Sequence, residues 1–381
     1  MKKAQEILRE KKLDGWLLYD FHRTNELAHR VLNIPSSHMV TRRFFYWIPA
    51  VGEPVKLVHA IEPHILDHCA GEKRVYASWQ SLEAELKRLL TGKHSVAMEV
   101  SKIPYVSKVD AGTVDLVRSC GVNVVSSGDF LLYFTSVLTE TQIESQRRAA
   151  KLLDQFVHDV WAWIKQREVN EFQVQQWLVD RFREHKLITD APPIVAVNAH
   201  SADPHFETPK TGSSPIRKGD ILLIDLWAKE TAEDSVYGDL TKMAVLGKPT
   251  AKHQQIFELV RNAQRAGISL VRERFSRKQP LAGWEVDEAS RTVIRNAGFG
   301  DFFIHRTGHN IERALHGSGT HMDNLETHDT RPVLPMTCFS VEPGVYLPGE
   351  FGVRLESDVL VLRDGTIEVT GGEQDSLHSI G

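Results

Sequence analysis

The sequence predicts two domains, an α/β domain over residues 1–138 and an α+β domain over 139–381. Three observations carry that reading. Helical and strand-like patterns alternate through the first part, as in a mixed sheet covered by helices. Near residue 139 the composition changes, and Thr139-Glu140-Thr141-Gln142 supplies polar capping residues ahead of long helical patterns. In the second part, apolar strands carry single charged residues, which is costly unless something pairs with them. The chain of 381 residues also exceeds what one core usually fills.

In chain order, residues 2–12 read as a short charged helix and GWLLYD at 15–20 as a buried strand. RRFFYWIP at 42–49 and PVKLVHAI at 54–61 are strands joined by the turn signal Val51-Gly52-Glu53-Pro54. A helix at 81–90, a strand at 95–100, a helix around 109–119 and a strand at 122–127 complete the first domain. Two helices follow at 141–166 and 171–186; in the first, WAWIKQ at 161–166 reads as core. PPIVAVN at 192–198 is a strand, and GDILLIDLWAKE at 219–230 forms a hairpin with SVYGDLTKMAVLG at 235–247. After helices at about 250–275 and 284–297, FFIHRTGH, CFSVEPGVY and GVRLESDVLVL read as strands. The polar loop 317–332, with His321, Asp323, His328 and Asp329, is expected at the surface. His64 and His68, four apart beside Asp67, read as a solvated helix face.

The totals exclude several classes. With 46 basic against 50 acidic residues, the net charge of −4 argues against nucleic acid as a partner. No apolar run is long enough to span a bilayer, and no apolar stretch follows the first lysines as a signal peptide requires. Three scattered cysteines, Cys69, Cys120 and Cys338, argue against a disulfide framework and for a cytoplasmic location.

The ionisable residues inside apolar strands are Asp225 (LLIDLW), Asp239 (VYGDLT), His309 (HRTGH), Glu342 (FSVEPG) and Glu356 (VRLESDV). Four carboxylates packed together repel strongly and are buried at neutral pH only with cations. Two divalent ions would neutralise them. Carboxylates with one imidazole suit Mn²⁺ first, with Co²⁺, Zn²⁺ or Fe²⁺ as alternatives.

These motifs, in this order, resemble the pita-bread metallopeptidases: aminopeptidase P, prolidase and methionine aminopeptidase. LIDLW and YGDLT resemble the two aspartate motifs, HRTGH the histidine motif, and VEPGVY and GVRLESDVLV the two glutamate motifs. The first domain resembles the N-terminal domain of aminopeptidase P, prolidase and creatinase. The resemblance implies that Asp225 chelates one ion, Asp239 and Glu356 bridge both, and His309 and Glu342 complete the second. It implies that Glu342 also shuttles a proton and that His316 holds the substrate carbonyl. His205 matches another site histidine, His305 lines the substrate side with a possible proton relay, and Arg354 supports the metal carboxylates. The implied substrate is a proline-containing peptide cut after its N-terminal residue, and the implied assembly is a homodimer.

The sequence departs from the family pattern in four places. The Asp225–Asp239 spacing is longer, through KETAEDSV; Asp239 is followed by Leu240-Thr241-Lys242; Asn310-Ile311-Glu312 replaces a glycine; and LPMT lacks one. Prolidases carry an arginine shortly after the histidine equivalent to His316, whereas Gly317-Ser318-Gly319-Thr320 has none, which favours an Xaa-Pro aminopeptidase over a dipeptidase. A creatinase-like amidinohydrolase or a non-catalytic binding protein on this fold would be expected to lose ligands that are present here.

Overall fold

The structure, a computed structural model, describes all 381 residues, and the chain divides into compact units 1–135 and 136–381.

The first unit contains α1 (Lys2–Glu10), β1 (Gly15–Asp20), α2 (Glu26–Val31), β2 (Phe44–Pro49), β3 (Val55–His59), β4 (Glu72–Tyr76), α3 (Trp79–Leu90), β5 (Ser95–Met98), α4 (Ala111–Arg118), β6 (Asn123–Ser126) and α5 (Gly128–Thr135). Its strands form one sheet in the order β4-β3-β2-β1-β5-β6. The sheet is mixed: β1 pairs antiparallel with β2 and parallel with β5. Every residue of β1 is buried because helices cover both faces. Trp16 and Leu18 join one core, and Leu17 and Tyr19 the other, as strand alternation requires. His64 and His68 lie in turns, not on a helix; His64 pairs with Asp67 at 2.7 Å, and His68 Nε2 lies 2.7 Å from the Leu32 carbonyl.

The second unit opens with α6 (Glu140–Ile164), whose Thr139 and Gln142 form a reciprocal capping box. Then come α7 (Glu171–Glu184), β7 (Leu187–Ile188), β8 (Ile194–Val197), β9 (Ile221–Glu230), β10 (Gly238–Leu246), α8 (Ala251–Ser276) and α9 (Gly283–Asn296). The rest is strand: β11 (Asn310–Ile311), β12 (Thr337–Val341), β13 (Gly344–Leu347), β14 (Phe351–Arg354), β15 (Ser357–Val361), β16 (Ile367–Thr370) and β17 (His378–Ile380). These strands make a five-stranded sheet around β9 and β10, a four-stranded sheet β11-β12-β15-β16 and the β13-β14 ribbon. Leu222, Ile224 and Leu226 of β9 pack with residues of α6 and α7, while Ile221 and Leu223 join the core containing residues of α8. Gly238 lets α6 approach, since a Cβ there would meet the Ala150 backbone nitrogen at 2.6 Å.

Three further expectations are corrected. FFIHRTGH is not a strand: only Asn310 and Ile311 are paired as β11, because the preceding residues spend their hydrogen bonds irregularly. Thr307 donates twice to Asp287 Oδ1, and Gly308 bridges to Met322. Second, CFSVEPGVY and GVRLESDVLVL each break, at Glu342-Pro343 and at Leu355-Glu356, where the chain passes between the four-stranded sheet and the ribbon. Third, the loop 317–332 is largely interior. His321, Asp323, Asp329 and Arg331 are buried, whereas His328 is exposed. Asp323 accepts three backbone N–H groups, and Asp329 binds Arg331 Nη2 at 2.6 Å, so the polar residues satisfy one another instead of water.

Candidate metal centre

Asp225 and Asp239 share one face of the β9–β10 hairpin, since Asp225 pairs with Thr241 and Asp239 with Trp227. Glu342 and Glu356 reach the same place from the two strand breaks, and His309 arrives one residue before β11. Gly308 makes that approach possible: a Cβ on it would lie 1.9 Å from the Ser340 carbonyl oxygen.

The ligand atoms of Asp239, His309 and Glu356 all lie within 4.8 Å of one another, and all three residues are buried. His309 Nε2 is 3.4 Å from Asp239 Oδ2 and 3.4 Å from Glu342 Oε1. Its Nδ1 faces the Asn310 carbonyl at 3.3 Å, which assigns the proton to Nδ1 and leaves an Nε2 lone pair turned toward two carboxylates. Lone pairs facing one another at that distance make sense around a cation. Asp225 Oδ1 is buried with no hydrogen-bond partner. Burial, with the Asp225 charge next, pushes the Asp239 carboxyl well above the usual range. Burial and then Asp239 do the same to Glu356. Burial raises Glu342 to about 7 against the opposing pull of Arg354. Four carboxylates and a neutral imidazole, offset by the single guanidinium of Arg354, fit a site for divalent ions.

Around this cluster runs a network. Arg354 Nη2 donates to Asp225 Oδ2 at 2.5 Å, Nη1 to the Tyr346 hydroxyl at 3.0 Å and to the Pro204 carbonyl at 3.1 Å, next to His205. Thr241 Oγ1 donates to Glu356 Oε2 at 2.7 Å and accepts from Arg354 Nε at 3.2 Å. Ser340 Oγ accepts from the His309 backbone and donates to Glu342 Oε1, both at 3.0 Å. Asp358 Oδ2 accepts the Asp239 backbone N–H at 2.9 Å and Gln146 Nε2 at 2.7 Å.

The remaining histidines divide. The His316 ring packs edge-on against His309, with centroids 4.2 Å apart, and keeps an exposed edge. Partial burial, then Arg306, lowers its pKa to about 4, so the ring is neutral. His205 is exposed, with its backbone N–H on Asp203 Oδ1. His305 has both ring nitrogens engaged, Nδ1 at 2.7 Å from the Arg306 carbonyl and Nε2 at 2.7 Å from the Tyr346 hydroxyl.

Tyr346, Thr241, Ser340 and Asp358 are additions to the residues read from the sequence. Asp358 was within reach of the rule that singled out Glu356, as a second acid in the same apolar run, LESDV.

Residues 144–363 match metallopeptidase family M24. The chain belongs to that family. It is 29% identical over 264 residues to the "Probable dipeptidase PepE" of Mycobacterium tuberculosis (strain ATCC 25618 / H37Rv), which covers 67% of this chain and 64% of that protein. It is 30% identical over 184 residues to the Xaa-Pro dipeptidase of Pyrococcus furiosus, 48% of each chain. The aligned stretch thus spans less than two-thirds of these relatives. Among solved structures, dipeptidase PepE from Mycobacterium ulcerans superposes with a TM-score of 0.72 at 22% identity, covering 99% of this chain and 96% of that one. The fold is therefore the pita-bread fold of M24 metallopeptidases with its preceding α/β unit. No helix is long and apolar enough to cross a membrane.

Proposed function

We propose that this M24 metallopeptidase hydrolyses the bond between an N-terminal residue and a following proline, using two divalent ions held by Asp225, Asp239, His309, Glu342 and Glu356. The observation that carries this reading is the buried convergence of Asp239, His309 and Glu356 within 4.8 Å, with Glu342 at 3.4 Å from His309. The names of relatives, Xaa-Pro dipeptidases among them, support the choice of bond.

When bound, the ions would supply Lewis-acid activation of water and of the scissile carbonyl. Glu342, raised to about 7 by burial, would accept a proton from the attacking water and return it to the leaving amine. His316, neutral and partly open to solvent, would donate from its ring to the carbonyl oxygen as charge develops there. Arg354 would hold and orient Asp225. His205, tied to Arg354 through the adjacent Pro204 carbonyl, would border the peptide.

The sequence favours an aminopeptidase acting on longer peptides. A second reading, a dipeptidase, is favoured by Arg306, whose side chain is 11% exposed and whose charge acts on both His316 and Glu342. It offers a cation to a free carboxylate from a position other than 317–320. Assaying the Mn²⁺-loaded protein on Ala-Pro and Ala-Pro-Ala tests both readings. Cleavage of the tripeptide alone supports the aminopeptidase and cleavage of the dipeptide alone the dipeptidase. A protein that binds Mn²⁺ but cleaves neither contradicts the substrate assignment.

A further inference from the structure

Away from the metal centre, the second unit carries a concave groove of about 1380 Å³ between the end of α6, the start of α7, the loop before β9, the turn after β10 and β17. Five basic side chains line it, Lys165, Arg167, Arg217, Lys218 and Lys248, against one acidic side chain, Glu168. The whole chain has the opposite balance, 46 basic to 50 acidic residues. Lys165, Arg217, Lys218 and Lys248 make neither an ion pair nor a side-chain hydrogen bond. The negative end of the α6 dipole accounts for Lys165 and Arg167. It does not account for Arg217, Lys218 and Lys248, which come from two other segments.

The groove continues through Arg167, Glu168, Val169 and Gln173 into a trough of about 510 Å³ lined by Trp163, Phe172, Trp177 and Asp180, the last paired with Arg183 at 3.2 Å. The two indoles lie 6.0 Å apart. Arg167 covers Trp163 at 5.4 Å and Arg181 covers Trp177 at 5.1 Å.

We propose that this surface docks an acidic peptide segment of a partner protein, with carboxylates on the five cations and an aromatic or apolar side chain in the tryptophan trough. The cations come from three segments along an open groove, whereas a small anion is held by a concave site that encloses most of it. Glu168, set where groove and trough meet, would repel a continuous phosphate backbone but can accept a peptide N–H. Charge complementarity therefore selects an interrupted acidic chain.

The test uses the full chain and a fluorescein-labelled Glu/Asp-rich peptide containing one phenylalanine, measured by anisotropy at low and high salt. The expected result is saturable binding that weakens with salt and falls about tenfold or more in Lys218→Glu/Lys248→Glu. Both lysines are exposed and unpaired, so this variant should keep wild-type melting and peptidase activity. The proposal is overturned by no saturable binding, by binding indifferent to the charge reversal, or by tighter binding of oligo-dT or inorganic polyphosphate. Self-association of the wild type that the same reversal abolishes would also overturn it, by assigning the groove to a second copy.

Discussion

The Tyr346 hydroxyl stands 2.7 Å from His305 Nε2 and 3.0 Å from Arg354 Nη1. The Arg306 carbonyl takes the Nδ1 proton of His305, so Nε2 accepts and the Tyr346 hydroxyl donates to it while receiving the Arg354 N–H. His305 thereby acts on Asp225 through Tyr346 and Arg354. Tyr346→Phe keeps the ring and removes both links. The expected outcome is a kcat about 10- to 100-fold lower with little change in melting temperature. Steady-state kinetics beside a thermal melt check it; unchanged kcat would remove Tyr346 from the network.

Arg331 is 1% exposed and Asp329 is fully buried, and the pair also holds the Ser318 and Gly319 carbonyls and the His321 N–H. Arg331→Met leaves an unpaired buried carboxylate and should cost about 3–5 kcal/mol of unfolding free energy. Urea denaturation measures this directly, and a loss under about 1 kcal/mol would contradict a buried role for the loop.

Glu99, in the first unit, is fully buried and accepts hydrogen bonds from Trp16 Nε1 at 2.6 Å, Asn25 Nδ2 at 3.0 Å and Ser127 Oγ at 3.1 Å. Burial raises its pKa from 4.5 to about 7 despite those donors. A carboxyl raised on folding stabilises the fold fully below its unfolded value and loses that contribution as pH rises through its folded one. Wild-type stability should therefore fall between pH 5 and pH 8 by a few kcal/mol, and Glu99→Gln should flatten the fall. Equal pH dependence in both proteins would show that Glu99 does not titrate there.

Gly308→Ala would set a methyl 1.9 Å from the Ser340 carbonyl oxygen, against backbone that cannot swing away. We expect a loss of about 1–3 kcal/mol and weaker Mn²⁺ binding, because the displaced backbone carries the adjacent His309. Isothermal titration with Mn²⁺ reads the second effect; wild-type affinity would show that His309 tolerates the shift.

The sequence exposed the parts of this fold whose periodicity is local. The capping box at Thr139, the continuous GWLLYD strand and the β9–β10 hairpin follow from neighbouring residues alone. The exposed edge strand β4, EKRVY, has no apolar face to betray it and passed unread. Within the site, Asp225, Asp239, His309, Glu342 and Glu356 stood out because charge in an apolar run is costly. The same rule gave no warning that the two glutamates sit where strands break, because breaks at Glu342-Pro343 and Leu355-Glu356 are set by which sheet each half joins. Nor could it place Asp329 inside: the polar loop looks solvated until Arg331 and the backbone N–H groups are seen to satisfy it.

The most direct measurement is hydrolysis of an Xaa-Pro peptide by chelator-stripped protein during titration with Mn²⁺, run beside Asp239→Ala. The expected result is no turnover without metal, activity that rises to saturation at two ions per chain, and neither response in the variant. Turnover that persists in the stripped protein, or that survives in Asp239→Ala, would contradict it.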